Sequence, residues 1–119
     1  MSNWLRQCKR KGQINMEILL IHKPRGIVPP EMMAAALEIG KKIMTNPGQV
    51  VPGGKLIGSY HARAIGMLVC LWEVPSIEAL MPVGEQMSMM GWDTDIIPVD
   101  KMEVALAKFE KALQGMQAK

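Results

Sequence analysis

The stretch from Lys55 to Glu73, KLIGSYHARAIGMLVCLWE, lies at the middle of the chain and decides its fold. It contains two apolar runs, Lys55–His61 and Ile65–Glu73, which are separated only by the turn-like residues Ala62–Ala64. Two such runs so close together are typical of a β-hairpin, because a short connection joins antiparallel neighbours. The sequence therefore predicts a pair of antiparallel strands at the centre of the fold.

The segment before the hairpin predicts a strand followed by a helix. The nearly continuous apolar run Met16–His22 is typical of a strand that is covered on both faces. Pro29 and Pro30 favour a helix start, and apolar residues then recur at helical spacing as far as Met44. The Pro- and Gly-rich segment that begins at Asn46 is predicted to be a loop.

The segment after the hairpin predicts a helix, then a strand, and then a last helix. Ser76 is a candidate N-cap for a second helix, and Pro82 predicts that this helix is kinked or split, because proline removes a backbone hydrogen bond. A fourth strand is predicted over Trp92–Val99, where Pro98 favours a position at the edge of a sheet. A last amphipathic helix follows from Asp100 to near Gly115.

The predicted order is βαββαβ plus a C-terminal helix, the split βαβ arrangement of ferredoxin-like α+β domains. Right-handed crossovers lead to an antiparallel sheet of order 4-1-3-2 with the first two helices on one face. We expect residues 16–119 to form this single domain and residues 1–15 to be a flexible, basic N-terminal extension.

Both faces of this sheet are predicted to be apolar, which favours a homodimer. Ile18 and Leu20 point to one face, whereas Leu19 and Ile21 point to the other, and the third strand alternates in the same way. Because the helices cover one face only, we expect the open face to pack against a second copy of the chain.

Charge and hydropathy exclude several other partners. The chain carries a net charge of +3, but Arg6, Lys9, Arg10 and Lys11 account for it, and the rest of the chain is close to neutral. A nucleic-acid partner is therefore not expected. The sequence contains neither a signal peptide nor an apolar segment of about 20 residues, so no membrane partner is expected and a cytoplasmic location is the default.

The segments Lys55–His61, Gly66–Glu73 and Ile96–Val99 with Trp92 resemble a family of small uncharacterised bacterial proteins of the dimeric α+β barrel superfamily. Its relatives include muconolactone isomerase-like and antibiotic-biosynthesis monooxygenase-like proteins. The resemblance extends over residues 16–112. It implies a dimeric barrel with an apolar cavity for an aromatic or polyketide-like ligand.

The candidate site lies at one edge of the predicted sheet. The first and second strands end with His22 and His61, and the fourth strand begins there with Trp92. Tyr60 joins them. Either histidine is a candidate for proton transfer, because histidine titrates near neutral pH. The alternative is that both histidines merely end their strands and meet solvent.

Three further interpretations concern side chains and cofactors near this edge. Tyr60 and Trp72 are predicted either to line a ligand cavity or to fill the barrel and the dimer interface. Glu73 is either a general base at the cavity mouth or the residue at which its strand returns to water. No metal site is predicted, since the strands of His22 and His61 are separated by a third, and no cofactor motif is present.

These observations lead to three hypotheses. The first is a homodimeric protein that binds a small apolar or aromatic molecule. The second is a cofactor-independent isomerase or monooxygenase that uses His22 or His61 for proton transfer. The third is a protein-interaction module that uses the open sheet face or the methionine-rich second helix.

Overall fold

The computed structural model describes residues 15–117, which form an α+β fold around one four-stranded sheet. The strands are β1 (Met16–Pro24), β2 (Lys55–Ala62), β3 (Met67–Val74) and β4 (Trp92–Val99), and the helices are α1 (Pro30–Thr45), α2 (Pro47–Val50), α3 (Met81–Met89) and α4 (Met102–Gln117). A single 3₁₀ turn, Ile77–Leu80, precedes α3. The predicted flexible extension, residues 1–15, lies outside the described residues except at its last position.

The sheet has the order β2-β3-β1-β4, and every neighbouring pair is antiparallel. This confirms the predicted strand order and places β1 and β3 at the centre. β4, which contains Pro98, is an edge strand as its sequence predicts. The central hairpin turns through residues 63–66, where Gly66 has a φ of 68°. Glycine adopts this left-handed conformation without the steric cost that a Cβ would impose.

The two faces of the sheet differ in how well they are covered. On the helix face, which we define by Ile18, Leu20, Cys70 and Trp72, the side chains are buried and pack against Leu80, Val83 and Met87. On the open face, which we define by Leu19, Ile21, Val69 and Leu71, the side chains are only half-buried. The register pairs Leu19 with Leu71 and Ile21 with Val69, so these four side chains form one apolar patch.

Two helices differ from their predicted form. Pro82 lies in the first turn of α3, directly after the 3₁₀ turn, which confirms that the second predicted helix is split at this residue. Proline fits there because the first turn of a helix needs no N–H donor. Ser76 occupies the N-cap position of the 3₁₀ turn, but its hydroxyl makes no capping hydrogen bond. The predicted loop after α1 contains the short helix α2.

The C-terminal helix α4 forms where it is predicted, yet none of its residues is buried. Five apolar side chains of α4 form a stripe at helical spacing, and each of the five is more than half exposed: Met102, Leu106, Phe109, Leu113 and Met116. The described part of the chain therefore includes the open face and the α4 stripe as apolar surfaces that residues 15–117 leave partly or largely exposed. None of the helices formed by residues 15–117 combines the length and apolar composition that a membrane span needs.

Candidate functional site

A cavity of about 770 Å³ lies between α1 and the helix face of the sheet. Strands β1, β2 and β3 form its floor and α1 forms its wall. Met87 of α3 also lines it, as does Trp92, which is paired with Pro24 at the end of β1. Most of the lining atoms are apolar. A volume of this size falls within the range of about 300–1,000 Å³ that is typical of small-molecule sites.

The cavity exists because α1 does not pack closely on the sheet. Ile43 is the only residue of α1 that is buried. Two positions of α1 that line the cavity carry little or no side chain, Ala36 and Gly40, and a Cβ added at Gly40 would meet no atom within 4 Å. Met33, Leu37 and Met44 also line the cavity, although they are 49%, 57% and 63% exposed. Their apolar surface faces space that a ligand could fill.

The floor of the cavity carries a row of polar side chains across the sheet. His22 is paired in register with Thr94 on one side and with Leu68 on the other, and Leu68 is in turn paired with His61. The two histidines thus point to the same face with one strand between them. Two strand spacings place their backbones roughly 9–10 Å apart. They can touch one ligand at two points, but their separation does not favour a shared ion.

His22 is the deeper of the two histidines. It is 3% exposed, whereas His61 lies on the edge strand β2 and is exposed. Nδ1 of His22 lies 2.7 Å from Oγ1 of Thr94. Burial lowers the pKa of His22 from 6.5 to about 4, because a charged ring would lose its hydration there. At neutral pH the ring is therefore uncharged.

A second polar pair lies one row further along the floor. Oγ of Ser59 and Sγ of Cys70 are hydrogen-bonded at 3.3 Å, and both residues line the cavity. Burial raises the pKa of the Cys70 thiol, and the hydrogen bond with Ser59 opposes this only in part. Cys70 is therefore a protonated thiol at neutral pH and a poor nucleophile.

The end of the cavity is held by contacts between the β1 terminus and the start of β4. The Arg25 guanidinium donates to Oδ1 of Asp93 at 2.6 Å and to the carbonyl oxygen of Ser88 at 2.5 Å. The backbone N–H of Arg25 also donates to the carbonyl of Gly91 at 2.8 Å. These contacts fix the turn that places Trp92 against the cavity. Its indole Nε1 is the only enclosed side-chain nitrogen or oxygen of residues 15–117 without a hydrogen-bond partner.

The structure brings three of the six sequence-predicted site residues to the cavity, namely His22, His61 and Trp92. The other three do not line it. Trp72 lies on the helix face but is completely buried in the core. Tyr60 and Glu73 point to the open face, where Tyr60 is 71% exposed and its ring packs on Gly58. Neighbouring residues in a strand point to opposite faces, so Tyr60 and His61 lie on different faces of the sheet.

Several residues of the site were not predicted from the sequence: Ser59, which lines the cavity, Thr94, which is hydrogen-bonded to His22 but does not line the cavity, and Met33 and Met44 of α1, which do. Strand alternation would have found the first two. Ser59 lies two residues before His61, and Thr94 lies two residues after Trp92, so each shares the face of a residue that was already a candidate. The α1 residues carried no such signal, because an apolar helical stripe predicts a packed core as readily as a cavity wall.

No cluster of three or more His, Cys, Asp or Glu side chains suitable for a metal ion occurs within residues 15–117. The comparisons with known proteins supply no further evidence about the site: no family model matches the chain, and neither the curated proteins nor the solved structures give a match.

Proposed function

We propose that this protein binds a small, largely apolar molecule in the cavity between α1 and the sheet, and that it does so as a homodimer. The cavity itself is the observation that carries the proposal. It has a volume of about 770 Å³, an apolar lining and a few polar groups at defined positions on its floor. Binding sites for small molecules combine these features, because apolar contact supplies affinity and a few polar groups supply orientation.

The α1 wall supports ligand binding. An amphipathic helix ordinarily buries its apolar stripe against the core, since this burial is its main source of stability. In α1, however, Met33, Leu37 and Met44 line the cavity and remain about half exposed. A bound apolar ligand would remove their surface from water at a gain of roughly 25 cal/mol per Å². Methionine also adapts its shape to a ligand readily.

The dimer is supported by the two uncovered apolar surfaces. The open face, centred on Leu71, and the α4 stripe, centred on Phe109, belong to the same chain and are both apolar. In a two-fold dimer whose copies contact each other through these surfaces, the open face and the α4 stripe of each copy would be covered. This arrangement would make the protein a ferredoxin-like domain of the dimeric α+β barrel kind, as its strand order and its resemblance suggest.

A cofactor-independent isomerase or monooxygenase is the second candidate, and the common row of His22 and His61 favours it. His22 is a weak base, because burial lowers its pKa to about 4. In such an enzyme His22 would orient the substrate, and His61 would transfer the proton. Replacement of His61 by alanine would then abolish turnover of a bound compound without abolishing its binding.

The experiment that tests ligand binding uses two matched glycine substitutions. Gly40 faces the cavity from α1, and Gly115 lies on α4, and at both positions an added Cβ has free space. Gly40→Leu should fill part of the cavity, whereas Gly115→Leu should not touch it. Both changes replace a helical glycine by a better helix former, so neither should cost stability.

Thermal unfolding is then measured for the three proteins with a panel of apolar and aromatic compounds. We expect compounds that raise the Tm of the wild type and of Gly115→Leu but have little effect on Gly40→Leu. Saturation at about 100 times the Kd should stabilise the folded state by roughly 2.7 kcal/mol. If no compound raises the Tm, or if Gly40→Leu responds like the wild type, the proposal fails and a protein-interaction module becomes the better explanation.

A further inference from the structure

The ring of His22 has one nitrogen that is engaged and one that is not. Nδ1 is hydrogen-bonded to Thr94, whereas Nε2 has no hydrogen-bond partner among residues 15–117. Nε1 of Trp92 is the only enclosed side-chain nitrogen or oxygen of residues 15–117 that lacks a hydrogen-bond partner, so Nε2 of His22 is not enclosed. Nε2 of His22 therefore keeps access to space, and the space that His22 adjoins is the cavity.

The charge of the cavity floor restricts which polar group can meet Nε2. The floor residues around it are Leu68, Cys70, Ser59 and His61, none of which carries a carboxylate or a fixed positive charge. Among residues 15–117, Lys41 is the only lysine or arginine that lines the cavity, and it lies on the exposed surface of α1. A charged ligand group at the floor would lose its hydration and gain no counter-charge, which is unfavourable. An uncharged group is favoured.

The tautomer of His22 restricts the group further. If Nδ1 donates to Thr94, then Nε2 accepts a hydrogen bond, and if Thr94 donates to Nδ1, then Nε2 donates one. A hydroxyl group satisfies either tautomer, because it is both a donor and an acceptor. Burial holds the pKa of His22 near 4, so the ring stays neutral over the pH range in which a phenol or an alcohol is also neutral.

We infer that the ligand of this cavity is an uncharged hydroxylated compound, a phenol or an alcohol on an apolar body, whose hydroxyl is hydrogen-bonded to Nε2 of His22. This inference rests on the proposed binding function and names the class of ligand for it. The apolar body would extend from His22 along the floor toward the α1 wall. There it would contact Met33, Leu37 and Met44.

The test compares three naphthalene probes that differ at one position: 2-naphthol, 2-methoxynaphthalene and 2-naphthoate. Their Kd values are measured by isothermal titration calorimetry near neutral pH with wild type, His22→Phe and His61→Phe. For the wild type we expect 2-naphthol to bind about fivefold or more tightly than 2-methoxynaphthalene, which is the net contribution of about one hydrogen bond. If Nε2 accepts, the methoxy probe cannot donate to it, and if Nε2 donates, the additional methyl group should hinder the approach of the ether oxygen. 2-Naphthoate should bind more weakly than 2-naphthol, because its charge has no partner.

The two variants assign the preference to a residue. His22→Phe should bind 2-naphthol and 2-methoxynaphthalene with similar Kd values, whereas His61→Phe should keep the preference for 2-naphthol. Should His22→Phe fail to fold, the ring nitrogens of wild-type His22 are followed by NMR instead, and 2-naphthol should shift Nε2 more than Nδ1. A shift of neither nitrogen on binding would contradict the inference.

The outcomes separate this inference from the proposed function. Equal Kd values of the two neutral probes for the wild type would overturn the hydroxyl inference and leave apolar binding intact. A preference that survives in His22→Phe, or that disappears only in His61→Phe, would overturn the assignment to His22. If none of the probes and no compound of the thermal panel binds, both proposals are wrong.

Discussion

Nδ1 of His22 on β1 lies 2.7 Å from Oγ1 of Thr94 on β4, and the two residues are 72 positions apart in the chain. The hydrogen bond joins the central strand β1, whose His22 lines the floor of the cavity, to the edge strand β4. It satisfies one nitrogen of a buried, uncharged ring and leaves the other for a ligand. Two predictions concern this pair of residues.

The first prediction concerns the dependence of stability on pH. His22 binds a proton with a pKa of 6.5 in the unfolded chain but of about 4 in the folded protein. Between these values the unfolded state binds more protons, so the free energy of unfolding falls as the pH is lowered from 6.5 to 4. The neutral ring of His22 makes its full contribution to the free energy of unfolding above pH 6.5. At pH 4 the free energy of unfolding should be lower by roughly 3 kcal/mol.

Urea denaturation at a series of pH values measures this loss, and His22→Phe supplies the comparison. The variant should lose about 3 kcal/mol less than the wild type over the same interval. Parallel pH profiles of the two proteins would show that His22 titrates normally in the folded state.

The second prediction concerns Thr94. Thr94→Val keeps the shape of the side chain but leaves Nδ1 of His22 without its partner in a buried position. We expect a loss of about 1–3 kcal/mol in the free energy of unfolding, because the desolvated nitrogen loses its hydrogen bond. Thr45→Val is the matched control, since the Thr45 hydroxyl donates to the Lys41 carbonyl at an exposed helix end.

The control should change stability by no more than about 0.5 kcal/mol. Both variants are compared with the wild type by urea denaturation. If Thr94→Val and Thr45→Val lower the free energy of unfolding by the same amount, the His22–Thr94 hydrogen bond does not stabilise the fold more than an exposed one does.

A third prediction addresses the homodimer. Leu71 lies at the centre of the open face, and Leu71→Asp would place a carboxylate in the proposed interface. An unpaired charge in an apolar interface is strongly unfavourable, so the variant should be monomeric at micromolar concentration while the wild type is dimeric. Size-exclusion chromatography with light scattering measures the mass of each.

Met89→Asp is the control for this change. Met89 is 71% exposed and lies at the end of α3, on the other side of the sheet, so its replacement should leave the dimer intact. A wild type that elutes as a stable monomer would refute the dimer outright.

The fourth prediction concerns the turn before β4. Gly91 has a φ of 99° and accepts the hydrogen bond from Arg25 that holds the cavity end together. Gly91→Ala should cost about 1–2 kcal/mol, because a residue with a Cβ is strained in this conformation. Gly40→Ala, in the middle of α1, should instead stabilise the protein by up to about 1 kcal/mol.

Thermal unfolding should therefore give a lower Tm for Gly91→Ala and a higher Tm for Gly40→Ala than for the wild type. A neutral Gly91→Ala would mean that the turn tolerates another backbone conformation.

The sequence by itself determined the elements and their order. The hairpin within Lys55–Glu73, the start of α1 at Pro30 and the division of the second helix at Pro82 are local features. They depend on spacing along the chain and on the restricted backbone of proline, and both can be read without knowing what packs where. The sheet order followed from these elements through the handedness of crossovers.

Only the tertiary structure decided the site. The pairing of His22 with Thr94 and the separation of Tyr60 from His61 depend on register, since a shift of one residue exchanges the two faces of a strand. The cavity depends on how far α1 stands from the sheet. That distance is set by side chains from several elements at once, with Gly40 leaving space and Ile43 making contact. No local pattern in the sequence encodes such a distance, because packing is a property of the assembled core.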